Sequence, residues 1–150
     1  MEGRYILLAD YAEFSANGRL SLIGGDLERF SFPQLPATTH PFKIVAKIHL
    51  DLAEKDHEHD LQVIITDPSR NVLSDNLRGV IEAAKKPYDR RSMYAGINVL
   101  FTQAPLRLNS KGRYTVKLLV DSAKILETSF YVFVGNELGQ VAKVEEPTAP

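Results

Sequence analysis

The 150-residue chain predicts an all-β fold, an antiparallel β-sandwich of about eight strands. Three observations predict it. Most segments between turn signals alternate apolar and polar residues with period two, few segments carry helical spacing, and the turn signals recur at fairly even intervals. The length suits one domain that buries a core without disulfides or a structural metal. Residues 1–135 are therefore expected to form the sandwich. Residues 136–150, ending VEEPTAP, lack a packable apolar stripe and are expected to be a flexible tail.

The first unit, RYILLADYAEFSANGRLSLIGG, reads as a hairpin. Asn17-Gly18 is expected to form a two-residue type I′ turn, because both residues tolerate positive φ and the turn's twist matches that of paired strands. With Ala16 facing Arg19, Tyr5, Leu7, Ala9 and Tyr11 share a face with Leu20 and Leu22. Ile6, Leu8, Ala12, Phe14 and Ile23 line the other face. Both faces are largely apolar, so the ribbon is either covered on both sides or contributes to a subunit contact. Gly24-Gly25 suits a bulge rather than a phosphate loop, since no helix follows and the spacing fits no dinucleotide motif.

After DLERFSF, the three prolines of PQLPATTHP predict a long crossing loop. KIVAKIHLDL alternates cleanly, with Ile44, Ala46, Ile48, Leu50 and Leu52 inward. DLQVIIT, the turn DPSRN and VLSDNLRGVIEA follow. The basic loop KKPYDRRS leads into YAGINVLFTQ, and a last hairpin turns at DSAK. There Tyr114, Val116, Leu118 and Val120 face Leu126, Thr128, Phe130, Val132 and Val134.

Charge and composition narrow the function. Eighteen basic and 19 acidic residues leave a net charge of −1, which argues against nucleic acid as a partner. Without cysteine there is no disulfide, thiolate nucleophile or cysteine-bound zinc, a usage that fits the cytoplasm. Asp10 and Glu13 interrupt the N-terminal apolar run too early for a signal-peptide core, and no stretch reaches the roughly 20 apolar residues of a membrane span.

EKDHEHD is the stretch that most resembles chemistry. Paired as a hairpin in register with KIVAKIHLDL, it sets His57 and His59 on the core-facing side and His49 beside Asp60 on the other. The metal candidates are then His57, His59 and Asp56, with Glu54 as another loop carboxylate. That set falls short of a full zinc site, so the structural alternative is two imidazoles capping the core. No cofactor is expected. Serine, histidine and aspartate occur without a nucleophile elbow, so a hydrolase reading has no support.

The basic loop offers Lys85, Lys86, Tyr88, Arg90 and Arg91 as a partner-binding surface for a phosphate or an acidic protein, against the alternative of a solvated loop. Asn98 and Thr102 share a face of their strand and either line a pocket or form an outward polar stripe.

YAEFSANGRLSLIGG resembles an uncharacterised family of small bacterial proteins, a domain of unknown function with a segment like G-K-L-S-L-I-G after an Asn-Gly or Asp-Gly turn. The matching residues are Asn17 through Gly24, with Arg19 where lysine is expected. TDPSRNVL and KGRYTVKLLVD also look like that family. The resemblance covers most of residues 4 to 134 and implies a cytoplasmic β-sandwich with no known activity. SKGRY is similar to a segment of immunoglobulin-like sandwiches in which a tyrosine ties a corner through its hydroxyl.

Function is therefore expected to be non-catalytic: an interaction module with an unidentified protein partner, self-associating as a homodimer. The alternative is a small-ligand or carbohydrate-binding domain using Tyr88, Tyr94 and Asn98. A metal-dependent activity at His57 and His59 is the third reading.

Overall fold

The alternation read in the sequence becomes strands almost throughout residues 1–51, 53–83 and 94–135, the residues that the computed structural model describes. The strands are β1 (Glu2–Phe14), β2 (Leu20–Gly25), β3 (Arg29–Phe32), β4 (Ala37–Thr38) and β5 (Phe42–Asp51). A 3-10 turn (Glu54–Asp56) precedes β6 (His59–Thr66), β7 (Val72–Ile81), β8 (Tyr94–Gln103), β9 (Arg107–Leu108), β10 (Gly112–Val120) and β11 (Ala123–Val134). They form a four-stranded sheet, β2-β1-β5-β8, a five-stranded sheet, β3-β11-β10-β6-β7, and a small β4-β9 pair. The fold class is all-β, as expected, with eleven strands among the described residues instead of about eight. β3 runs parallel to β11, whereas every other pairing is antiparallel.

One apolar core joins the two larger sheets. Ile44, Ala46, Ile48 and Leu50 enter it from β5, Val63 and Ile65 from β6, and Val116, Leu118 and Val120 from β10. At one end an aromatic cluster closes it, with Phe130 stacked on Tyr114 at 5.1 Å and edge-on to Phe30 at 5.3 Å. Tyr114 is 1 % exposed, and its hydroxyl donates to the Ser110 carbonyl at 2.7 Å. This is the corner tie that the SKGRY resemblance implies.

Two pairings differ from expectation. β5 and β6 do not form a hairpin: β5 lies between β1 and β8, and β6 between β10 and β7. A strand has only two edges, and both of each are occupied, so the EKDHEHD stretch carries the chain from one sheet to the other. The apolar alternation that suggested cross-strand partners instead lines opposite walls of one core.

The Asn17-Gly18 turn also differs. Ser15 N–H donates to Arg19 O at 2.8 Å and Gly18 N–H to Ser15 O at 2.9 Å, so the loop is Ala16–Gly18, with Gly18 at φ +78°. That is a type I turn closed by a left-handed glycine. Ser15 favours it, because its Oγ accepts the Arg19 N–H at 3.0 Å and donates to Asn17 Oδ1. Leu20 and Leu22 consequently pair with Phe14 and Ala12, and Ile23 with Tyr11, one residue out of the expected register.

Candidate functional site

A thirteen-residue β1 is longer than its pairing with β5, which ends at Ala9–Lys43, and the remainder runs on with β2 as a two-stranded ribbon. The ribbon curls. β1 approaches β8 although β5 separates them, and a Cβ placed on Gly18 would stand 3.5 Å from Asn98 Nδ2 on β8. One sheet is curled into a half-barrel. Ala9, Ala12 and Val45 are at most 3 % exposed yet lie outside the main core cluster.

What the curl leaves uncovered is a cross-strand pair, Tyr11 and Ile23, 46 % and 66 % exposed. β2 is the edge of its sheet, and Leu20–Gly25 contains neither charge nor proline, the usual guards of an edge. Leu100, 40 % exposed, stands opposite Val45 on the same sheet. Asn98 and Thr102 share the exposed side of β8, as expected, with Thr102 accepting a hydrogen bond from Lys43 Nζ at 2.7 Å and Asn98 under the ribbon tip.

The histidines are placed differently from one another. His59 points inward from the start of β6 and is 7 % exposed. Its Nε2 lies 2.6 Å from the Glu54 carbonyl oxygen and its Nδ1 2.6 Å from Asp121 Oδ2. Both partners are acceptors, so the geometry favours the protonated ring, in which both nitrogens donate. The Asp121 carboxylate, and after it the Glu54 carbonyl, holds the His59 pKa above its ordinary value; His59 and the Asp60 N–H hold Asp121 below its own. This strut joins the 3-10 turn to the β10–β11 turn.

His57 and Asp56 are exposed on the crossing segment, and His49 lies on β5 opposite Glu2 and Gly96, in a different sheet from Asp60. Among the described residues no three His, Cys, Asp or Glu side chains are grouped as ligands of one ion. The Asp121 contribution was hidden in the sequence because it lies 62 positions from His59. Only the short polar DSAK turn signalled it.

Lys85, Lys86, Tyr88, Arg90 and Arg91 lie outside the described residues, as does the 136–150 segment. No helix among the described residues is long and apolar enough to cross a membrane. A search of curated proteins finds no match. A model for a family of unknown function, DUF6941, matches residues 4–133, nearly all of the described structure. By that match the chain belongs to the DUF6941 family, an uncharacterised all-β domain family.

Proposed function

We propose that this chain is a non-catalytic, cytoplasmic interaction module that self-associates through the β1–β2 ribbon. The observation that carries this reading is the exposed Tyr11–Ile23 pair beside an unguarded sheet edge. An exposed apolar pair at a free edge supplies apolar area to bury and unpaired backbone groups to satisfy in one contact. A β2–β2′ pairing across a two-fold axis joins two four-stranded sheets into one, with both Tyr11–Ile23 pairs near the seam. The basic loop carrying Lys85, Lys86, Tyr88, Arg90 and Arg91 is proposed as a second contact, for an acidic partner.

Sedimentation velocity over a wide concentration range tests the first contact. The wild type is expected to sediment faster as concentration rises, and Ile23→Lys to remain monomeric with an unchanged circular dichroism spectrum. A wild type that stays monomeric at the highest concentration would remove self-association from the proposal. A pull-down comparing wild type with a Lys85/Lys86/Arg90/Arg91→Ala variant tests the second contact independently.

A further inference from the structure

We propose that the outer face of the five-stranded sheet binds a dianionic phosphate group, free or as a small-molecule monoester, in the cleft between the β6–β7 loop and β10. The cleft has a volume of about 560 Å³, and Thr66, Asp67, Arg70, Arg113, Thr115, Lys117 and Glu127 are among the residues that line it. None of these residues belongs to the ribbon.

The strand pattern builds the floor. Ile65 and Val116 point into the core, so their neighbours Thr66 and Thr115, directly opposite each other across the β6–β10 pair, point outward. Arg113 and Lys117 lie two residues to either side of Thr115, on the same face and roughly 7 Å away along the strand. Their long side chains bridge that distance to a group seated above Thr115. Arg70 closes the cleft from the β6–β7 loop, where it occupies a left-handed backbone position at φ +68°.

The cleft holds three cationic side chains against two carboxylates, Asp67 and Glu127, the latter opposite Lys117 across the β10–β11 pair, and each carboxylate has a partner of its own. Among the described residues the Thr66 and Thr115 hydroxyls, the Arg70 guanidinium and the Lys117 ammonium have no hydrogen-bond or ion-pair partner. Arg113 is oriented by one bond, from Nε to Ser129 Oγ at 2.9 Å, and keeps its terminal N–H groups. The Asp67 carboxylate is turned into its own loop, accepting the Ser69 and Asn71 N–H groups at 2.9 Å each, and Glu127 is paired with Lys124 at 3.2 Å. A phosphate dianion presents three acceptor oxygens in a tetrahedral array. Two hydroxyls below it, a guanidinium fork on one side and an ammonium on the other complement that array in charge and direction.

The test is a titration of the 15N-labelled full chain at pH 7.5 and constant ionic strength, followed by proton–nitrogen correlation spectra. The probes are inorganic phosphate, glycerol phosphate and, as control, acetate. Saturable shifts confined to the amides of residues 66–71 and 113–117 are expected for phosphate, and both Arg70→Gly and Lys117→Glu should weaken binding at least tenfold. Arg70→Gly keeps the loop conformation, so it serves even if the charge reversal unfolds the chain. Saturation by glycerol phosphate assigns the site to a monoester, and saturation by inorganic phosphate alone assigns it to the free ion. Shifts that do not saturate, that acetate reproduces, or that persist in both variants would overturn the proposal.

Discussion

The loops Ser15–Arg19 and Asp67–Asn71 share one hydrogen-bonding plan but no residue, and they differ most in what occupies the fourth position. In each, the first residue donates its N–H to the fifth carbonyl, at 2.8 and 2.9 Å, and accepts the N–H of the fourth at 2.9 Å. In each, a side-chain oxygen of the first residue also accepts the fifth N–H, at 3.0 and 2.9 Å. The fourth residue of both is left-handed, but it is Gly18 in one and Arg70 in the other. A side chain in that conformation crowds its own backbone, at a cost of about 1–2 kcal/mol. The comparison teaches that the costly residue stands where its guanidinium lines a cleft, and that the commoner glycine sits where the loop has only to turn.

Asp67 makes the second loop tolerable, and removing it gives the largest effect. Its carboxylate also accepts the Ser69 N–H, a bond without counterpart in the first loop. Asp67→Ala is expected to cost about 2 kcal/mol and Ser15→Ala about 1 kcal/mol or less, read from urea denaturation midpoints. Equal losses would mean that the extra bond does not offset the strain at Arg70.

A third loop sharpens the comparison through pH. Asp121 and Ser122 link β10 to β11 with φ of +50° and +68°, a two-residue turn with two left-handed residues and no glycine. Here distant partners hold the turn: Asp121 accepts from the His59 ring at 2.6 Å and from the Asp60 N–H at 3.0 Å. Asparagine also tolerates this conformation, so Asp121→Asn removes the charge and spares the backbone. A loss of about 1 kcal/mol is expected, the usual value for a charged hydrogen bond being reduced because Asp121 is half exposed. His59 is raised above 6.5, so its share is full below that pH and disappears as pH climbs through the folded value. Asp121 is lowered below 3.8, so its share is full above that pH and disappears as pH falls through the folded value. The difference between wild type and variant should therefore be greatest between pH 3.8 and 6.5, and a difference flat across pH 3 to 9 would deny the ion pair.

These loops also mark how far the sequence could be read. Alternation identified the inward residues of β5 and β10 correctly, because a half-buried strand must alternate whatever its neighbour is. It left the neighbour open: Leu50 and Leu61 are both inward, and their alternation is the same whether they pair in one sheet or face each other across a core. The Asn-Gly signal marked a hairpin, but the side chain of the residue before the loop, Ser15, selected its length. The type I′ turn went to Asp121-Ser122, which carries no glycine and is stabilised from another strand. The outward set Arg113, Thr115 and Lys117 went unremarked in the sequence, where only the inward stripe of that strand was read. Its meeting with Arg70 was not legible, because the curvature of the β6–β7 loop brings them together.

The smallest effects bear most directly on why the two loops differ. Gly18→Ala places a Cβ in a left-handed position with no compensating bond, and a loss of about 1 kcal/mol is expected. Arg70→Gly runs the other way: relief of the crowding outweighs the greater freedom of glycine in the unfolded chain, for a gain of about 0.5 kcal/mol. Thermal melts at matched ionic strength resolve a change of that size. If Arg70 is present only as a neutral surface residue, its replacement by glycine should stabilise the chain and leave phosphate titrations untouched. If it is present for the cleft, the same substitution raises the melting temperature and weakens binding at least tenfold, the opposed changes expected of a residue that serves function at a cost in stability.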